Sequence, residues 1–260
     1  MPEPYLLPTA IHTTAMKKIV IIGASSGIGR RMALDFARIG CRVGIAARRS
    51  APLEEIKHLY PSDVAAMTID VTAPDAVRRF YDLIELIDGM DIFINAAGIG
   101  FADPDLDDAK LSATLRTNVE GFARLTAAAY RYYRDTANVS QGQIAAITSV
   151  AGTKGIGVAA AYSASKRFQQ TFLNALEQLA YQQQVNVAFT DIRPGFVDTP
   201  LLAEGRDYPM LMTVDRVAPL IETAILRRRR VYTVDYRWCA VNALWRLVPQ
   251  RLWRHIGLNW

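Results

Sequence analysis

The stretch "KKIVIIGASSGIGRRMALDFARIG", residues 17–40, decides the fold. It begins with a short β-branched apolar run at 17–23, which predicts a buried strand. An amphipathic pattern over 27–40 then predicts a helix. The turn between them has three glycines in the spacing G-x-x-x-G-x-G. This order predicts that the helix N-terminus binds a pyrophosphate; the alternative is a tight strand–helix turn without a ligand.

The alternation of strand and helix continues along the chain. Apolar runs predict further strands at 42–47, 64–69, 91–98, 142–149, 185–192 and 230–234, and amphipathic segments predict helices at 51–60, 75–88, 107–135, 160–183 and 215–228. Nearly continuous apolar strands separated by helices are typical of a parallel sheet covered on both faces. We therefore predict an α/β fold: a single doubly wound Rossmann-type domain with a seven-stranded parallel sheet, over residues 16–235.

Composition argues against a membrane-spanning, a disulfide-bonded or a metal-binding protein. The hydrophobic content of 51% is ample for one large core, and the longest apolar runs are too short to cross a bilayer. Residues 1–15 have no basic segment and are interpreted as a disordered leader or as the product of a misassigned start site. Cys41 and Cys239 lie far apart and the three histidines are scattered, which indicates a reducing cytoplasm and argues against a disulfide or a metal site.

Charge is distributed unevenly. The net charge is +5, but residues 227–260 carry eight arginines and one acid, a net +7, which leaves −2 for the rest of the chain. The body is therefore not a basic nucleic-acid binder.

In the tail, 236–260, Trp238, Trp245 and Trp253 lie on helical faces edged by arginines. Such faces suit packing on the body or on a partner subunit, or alternatively contact with a membrane surface.

The stretch "AAAYSASKRF", residues 159–168, places Tyr162 and Lys166 on one face of a helix. The plain interpretation is an amphipathic helix with an exposed lysine. The chemical one is that the ammonium lowers the phenol pKa from about 10, so that the tyrosine transfers a proton near neutrality. Ser149, at the end of the fifth strand, is placed to bind a substrate oxygen. Asn118 lies inside a predicted helix, where its amide needs a partner, such as a water linked to Lys166.

The end of the second strand bears on the choice of coenzyme. An NAD-preferring site places an acid there against the ribose hydroxyls, whereas this chain has Ala47 followed by Arg48 and Arg49. Arg48 is suited to pair with a 2′-phosphate, so NADP is favoured over NAD; the alternative is two solvated surface arginines. Asp70, at the end of the third strand, either accepts from the adenine amino group or caps the next turn.

These motifs together resemble the short-chain dehydrogenase/reductase family over about residues 16–235. They occur in the family's order: Gly23-x-x-x-Gly27-Ile28-Gly29, Asp70, Asn95-Ala96-Ala97-Gly98, Asn118, Ser149, Tyr162-x-x-x-Lys166 and Pro194-Gly195-x-Val197-x-Thr199. Two positions depart from the family pattern, Ile22 in place of threonine and Ala96 in place of asparagine. Both departures bear on local hydrogen bonds that brace the glycine turn.

The resemblance implies hydride transfer with NAD(P) and a catalytic tetrad. Tyr162 would be the general acid/base and Ser149 would polarise the carbonyl or alcohol. Lys166 would lower the tyrosine pKa and hold the nicotinamide ribose, and Asn118 would position a relay water. The predicted coenzyme-binding residues are Gly23, Ser25, Ser26, Gly27, Ile28, Gly29, Arg48, Asp70, Val71, Asn95, Ala97, Gly98, Tyr162, Lys166, Pro194, Gly195, Val197 and Thr199.

The segment 194–213 is predicted to be a lid, because it is long, contains Gly and Pro, and is rich in apolar residues. Its apolar side chains line a substrate pocket or simply pack on the domain: Phe196, Leu201, Leu202, Tyr208, Met210, Leu211 and Met212.

We expect an NADPH-dependent oxidoreductase that acts on a lipophilic carbonyl or secondary alcohol. The alternatives are a non-catalytic NADP-binding sensor and a membrane-surface interaction protein. The resemblance also implies a homodimer or homotetramer, paired through 107–135 and 160–183.

Overall fold

Seven parallel strands form one sheet in the computed structural model, which describes residues 17–136, 141–202 and 207–257. The strands are β1 (Lys18–Ile22), β2 (Arg42–Ala47), β3 (Val64–Thr68), β4 (Ile92–Asn95), β5 (Gly142–Ile147), β6 (Val187–Pro194) and β7 (Val231–Val234). Their order in the sheet is β3-β2-β1-β4-β5-β6-β7. The order reverses between β1 and β4, and a doubly wound sheet binds its ligand in the crevice at such a point.

The predicted helices are confirmed, with ends that differ by a few residues. They are α1 (Gly27–Arg38), α2 (Ala51–Leu59), α3 (Ala76–Leu86), α4 (Asp108–Leu115), α5 (Phe122–Asp135), α6 (Ala160–Gln182) and α7 (Val214–Leu226). The sixth strand begins two residues later than predicted. The reason is that the Val185 N–H donates to the Ala180 carbonyl and so belongs to the C-terminal turn of α6.

The helix predicted over 107–135 is interrupted by one wide turn. Residues Arg116–Gly121 form a π-helical turn between α4 and α5. Such turns occur mostly as single bulges inside α-helices, frequently at functional sites. The prediction of one uninterrupted helix was therefore wrong at this position, which contains Asn118.

The two faces of the sheet carry separate apolar cores. One core contains residues of α1, α2 and α7, and the other contains residues of α3, α5 and α6. Ile22, which stands where the family has threonine, is fully buried in the second core. Packing therefore compensates for the missing side-chain hydrogen bond beside the glycine turn.

The tail packs on the body. It forms α8 (Tyr236–Leu247) and α9 (Gln250–Trp253). Trp238 and Trp253 are buried, and Trp245 lies between them with ring centroids 6.3 Å and 5.3 Å away. The Trp253 indole N–H donates to the Gly155 carbonyl over 2.7 Å. Packing on the body is therefore confirmed for the tryptophans, which face inward.

The structure also bears on the predictions about membrane-spanning segments, the two cysteines and the leader. None of the helices in the described ranges is both long enough and apolar enough to cross a membrane. Both cysteines are free; Cys41 is buried and Cys239 is exposed. The predicted leader, 1–15, lies outside the described residues.

Candidate active site

The glycine turn after β1 leaves no room for side chains. Gly23 has φ +90°, and a Cβ there would lie 2.6 Å from the Ala97 backbone nitrogen. A Cβ on Gly29 would lie 2.3 Å from the Gly23 carbonyl oxygen. Ser26, the N-cap of α1, makes no side-chain capping bond to the helix. The amide groups of the first turn of α1 thus remain available to an anion.

Thr199 closes over the same turn. A Cβ built on Gly27, which has φ +55°, would lie 3.0 Å from the Thr199 methyl carbon. Ser25 and Ile28 are partly exposed beside it. A bare glycine cradle at a helix N-terminus, next to a threonine, fits the pyrophosphate of a dinucleotide.

Two arginines flank the cradle at the end of β2. Arg48 is exposed, and its charge helps to lower the pKa of Asp70. The Arg49 guanidinium donates to the Ser25 hydroxyl over 3.1 Å. Arg49 was not among the predicted coenzyme residues, although its place next to Arg48 could have suggested it. The two guanidinium groups give this corner the positive charge that a 2′-phosphate would need.

Asp70 caps the turn after β3. One carboxylate oxygen accepts from the Thr72 N–H over 2.9 Å and from the Thr72 hydroxyl over 2.8 Å. Burial raises the pKa of Asp70, but these hydrogen bonds and the charges of Arg48 and Arg116 outweigh burial and leave the pKa below its usual value. The capping interpretation is thus confirmed, and a contact of Asp70 with adenine stays a prediction.

Lys166 lies inside the protein, with 4% of its surface exposed. Its ammonium donates to the Ile147 carbonyl over 3.0 Å and to the Gln169 side-chain oxygen over 3.1 Å. Burial lowers the pKa of this lysine to about 8, although the charge of Asp191 opposes the shift. The interpretation of Lys166 as an ordinary exposed lysine is therefore wrong.

Tyr162 lies one turn before Lys166, as predicted. The Lys166 nitrogen is 5.6 Å from the centroid of the Tyr162 ring. Burial raises the pKa of the Tyr162 phenol, and a hydrogen bond with Ser149 opposes that rise. The prediction that Lys166 lowers this pKa does not hold for the chain alone. The reason is that the ammonium donates to Ile147 and Gln169 and lies over the ring rather than at the hydroxyl.

Ser149 and Gly100 complete the surroundings of the phenol. Ser149 ends the segment after β5, and its hydroxyl accepts from the Ala151 N–H over 3.1 Å. A Cβ on Gly100 would lie 2.6 Å from the Tyr162 ring, so only glycine lets the tyrosine occupy this position. Gly100 was not predicted, since nothing in its local sequence indicates that a distant tyrosine packs on it.

Asn118 lies in the π-helical turn and is fully buried. Its amide oxygen accepts from the Ile99 N–H over 2.9 Å, while its amide nitrogen donates to the Ile99 carbonyl over 2.7 Å and to the Ser165 hydroxyl over 3.0 Å. The amide therefore holds the loop after β4. The relay water expected at Asn118 stays a prediction, and a protein side chain also connects the Asn118 backbone with Lys166.

That side chain is Gln169, which is fully buried. Its amide nitrogen donates to the Asn118 carbonyl over 3.0 Å, and its amide oxygen accepts from Lys166. Gln169 thus joins the two residues. Gln169 was not among the residues predicted from the sequence, although a position three residues after Lys166 shares its helical face.

The remaining predicted coenzyme residues lie along the carboxyl edge of β4 and β6. A Cβ on Gly98 would lie 3.4 Å from the Asn118 amide oxygen and 3.5 Å from the Lys166 nitrogen. Asn95 is 2% exposed, and its amide nitrogen donates to Thr126 over 3.3 Å, a bracing position. Of the others at this edge, Ala97 and Gly195 are partly exposed, and Pro194 and Val197 are buried; Val71 is buried in the segment after β3.

The lid segment is partly fixed to the body. Val197 pairs with Met212, which is buried in the core. The ring of Phe196 contacts Tyr208 and Trp238, with centroid separations of 4.8 Å and 5.5 Å. Packing on the domain is confirmed for Met212, whereas a substrate contact of the other predicted wall residues stays a prediction. Residues 203–206 of the lid lie outside the described residues.

Comparisons with known proteins agree with this arrangement. A family model described as short chain dehydrogenase matches residues 17–208. The sepiapterin reductase of Chlorobaculum tepidum is 31% identical over 233 aligned residues, and the match covers 83% of this chain and 93% of that protein.

Two solved structures share the fold. One is the 3-ketoacyl-(acyl-carrier-protein) reductase of Brucella melitensis complexed with NADH, with a TM-score of 0.73, 22% identity, and coverage of 84% of this chain and 96% of that chain. The other is an alcohol dehydrogenase from the archaeon Thermococcus sibiricus complexed with 5-hydroxy-NADP, with a TM-score of 0.72, 23% identity, and coverage of 85% and 95%. With the family model and the relative, they lead to one conclusion: the chain belongs to the short-chain dehydrogenase family and is an oxidoreductase that acts on CH–OH or C=O groups with NAD(P).

Proposed function

We propose that the protein is an NADPH-dependent carbonyl reductase that also works in the alcohol-oxidising direction. The observation that carries the proposal is the convergence of Ser149, Tyr162 and buried Lys166 beside a bare glycine turn. When bound, the coenzyme supplies the hydride for the carbonyl carbon. The glycine turn would hold its pyrophosphate, and Lys166 would hold its nicotinamide ribose.

The chain's own groups handle the substrate oxygen and its proton. The Ser149 hydroxyl is next to the Tyr162 phenol and would donate a hydrogen bond to the carbonyl oxygen. Since burial raises the pKa of Tyr162, the phenol is fully protonated at neutral pH and is ready to donate to the developing alkoxide. Gln169 and Asn118 fix the position of the Lys166 ammonium.

The preference for NADPH rests on Arg48 and Arg49, together with the small buried Ala47, which leaves space for a 2′-phosphate. No acid stands at the end of β2, where an NAD-preferring site would need one. These features support NADP over NAD.

A lipophilic substrate is the finer part of the proposal. Leu201 and Leu211 of the lid are exposed and apolar, and Phe196 and Tyr208 of the same segment contact each other through their rings. A homodimer or homotetramer would form through the helices α4, α5 and α6. Membrane-surface contact loses its main support, because the tail tryptophans pack inward.

The rival function is an NADP-binding sensor without turnover. The buried network around Lys166 argues against it, since a sensor needs no desolvated lysine behind a tyrosine.

The test combines binding with turnover. NADPH binding is measured by fluorescence titration, and NADPH oxidation is followed with a panel of ketones and aldehydes of increasing chain length. We expect turnover that rises with chain length and falls about a thousandfold in Tyr162→Phe, with NADPH affinity nearly unchanged. Equal turnover in Tyr162→Phe would refute the mechanism, and tight NADPH binding with no turnover on any carbonyl would favour the sensor.

A further inference from the structure

A second cavity lies away from the glycine turn. Its volume is about 440 Å³, and it is formed between α6, the segment after Ser149, β6 and α8. Four cationic side chains line it, Lys154, Arg167, Arg193 and Arg246, and none of the described lining residues is an acid. The amide and hydroxyl groups of Asn174 and Thr171 add further polar groups.

Of these cations, Arg193 alone is paired with an acid in the part of the chain that the structure describes. Arg193 is 6% exposed and binds Asp191 over 2.6 Å, and Asp191 also accepts from the Thr148 hydroxyl over 2.6 Å. Glu177, one turn from Asn174 on α6, is held by Arg230 over 2.7 Å. Asp191 is therefore taken up by Arg193, and Glu177 by Arg230, which does not line the cavity.

The other three cations form no ion pair among the described residues. Arg167 and Arg246 are exposed at the cavity. The Lys154 ammonium donates to the Val248 carbonyl over 2.8 Å and lies 5.9 Å from the centre of the Trp253 ring, so its position is fixed by the tail. An uncompensated excess of about three positive charges around one cavity attracts an anion.

The tail builds one wall of this cavity. Arg246 comes from α8, Asn242 of the same helix is hydrogen-bonded to Thr153, and Trp253 of α9 fixes Lys154. The inward-facing tryptophans therefore hold an arginine over a basic cavity. The apolar face of the tail could pack on the body without Arg246, so packing does not explain why an arginine lies at this position.

We propose that this cavity binds a phosphate group, either of a small soluble phosphate ester or of an anionic phospholipid headgroup. Arginine guanidinium groups give two parallel hydrogen bonds to a phosphate, and the unpaired Arg167 and Arg246 line this cavity together with the fixed Lys154 ammonium. The lining residues are not those of the glycine turn, so this site is separate from the coenzyme site. The proposal does not depend on NADPH preference or on carbonyl reduction.

The experiment titrates the full-length protein with inorganic phosphate by calorimetry, in the presence of saturating NADP⁺. The variants are Arg246→Gln, Arg167→Gln and the double variant. Arg131→Gln, which removes the same charge from an exposed position on α5, is the matched control, and Arg48→Gln reports on the coenzyme site. We expect the affinity to fall about tenfold in each cavity variant and further in the double variant, and to stay unchanged in both controls.

A vesicle arm distinguishes the two sources of phosphate. Sedimentation is compared between vesicles of phosphatidylcholine and vesicles that also contain phosphatidylglycerol. Inorganic phosphate binding that depends on Arg246 and Arg167 indicates a soluble ester, and sedimentation with phosphatidylglycerol vesicles that depends on both arginines indicates a lipid headgroup. Binding that is lost equally in Arg131→Gln, that depends on Arg48 instead, or that is absent with both probes would overturn the proposal.

Discussion

The carboxyl edge of the sheet has two halves that are built differently. On the coenzyme side, at β1 to β3, the polar groups are at least partly exposed, as in the Arg49–Ser25 and Thr72–Asp70 hydrogen bonds. On the catalytic side, at β4 to β6, Asn118, Lys166 and Gln169 are buried and connected by hydrogen bonds through Gln169. The coenzyme side, called the open half below, is suited to bind an anion. The catalytic side, called the closed half, holds the Lys166 ammonium away from water.

The two halves differ in what a substitution should do. Removing one group from an open site weakens one contact. Removing one from a closed network changes the hydrogen bonds of the buried groups that remain, and with them the pKa of any titratable group among them. The following experiments test that difference.

The largest effect is expected for Lys166→Met. We expect kcat/KM to fall about a thousandfold, because the buried ammonium has no substitute beside Tyr162. In the wild-type protein kcat/KM should also fall as the pH rises through about 8, where Lys166 loses its proton. Steady-state kinetics over a range of pH measures both effects.

Stability should change in the opposite direction. The pKa of Lys166 in the folded protein, about 8, is below its ordinary value of 10.5, so the cost of burying the charge is fully present below pH 8 and disappears toward pH 10.5. The Met variant should therefore be at least as stable as wild type at pH 7 in urea unfolding. A large loss of stability in this variant would mean that unfolding explains the loss of activity.

The coenzyme half is also packed against a buried acid, Glu222. Its pH dependence tests whether buried charge also affects stability outside the catalytic half. Glu222 on α7 is fully buried against Asp35 on α1, and Asp35 is held by Arg31 and Arg38. Burial, together with the charge of Asp35, raises the pKa of Glu222 to about 8. A proton between the two carboxyl groups relieves their repulsion.

The stability that this proton provides is complete below the unfolded pKa and is lost as the pH rises through about 8. We expect Glu222→Gln to unfold like wild type at pH 4 and to be about 2 to 4 kcal/mol more stable at pH 9. Denaturant midpoints at both pH values measure the difference. Glu55→Gln, at an exposed ion pair, is the control and should change neither. Parallel pH profiles for Glu222→Gln and wild type would contradict the prediction.

Arg48→Gln tests the open half. We expect kcat/KM for NADPH to fall about 30-fold, because a charge-assisted contact to phosphate is lost, while kcat/KM for NADH stays constant. Arg78→Gln, an exposed arginine on α3, serves as the control. A similar fall for both coenzymes would assign Arg48 a general role in binding rather than discrimination.

Gln169→Leu is expected to have the smallest effect. The variant removes the bridge between Lys166 and Asn118 without removing a charge, so kcat should fall about tenfold while NADPH affinity changes little. Because Lys166 loses a hydrogen-bond acceptor, its pKa should fall and the upper limb of the pH profile should move to lower pH. A lower kcat with an unshifted profile would indicate only a packing defect. Gln178→Leu, at an exposed position on α6, controls for the change in helix surface.

Periodicity predicted most of the fold, because most strands are nearly continuous apolar runs and the helices are amphipathic segments. It did not predict the π-helical turn at Asn118, since that turn is held by bonds to Ile99 and Ser165 from other parts of the chain. Helical spacing also identified the apolar face of the tail, but it left open whether that face meets a membrane or the body.

The sequence by itself determined the parallel sheet, the glycine turn and the Tyr162–Lys166 pair, because these depend on backbone conformation and on residues a few positions apart. Only the tertiary structure decided where the Lys166 ammonium donates, why Gly100 lacks a side chain, and that Arg246 lies over a basic cavity. Burial and hydrogen-bond partners set those properties, and both come from segments that are distant in the chain.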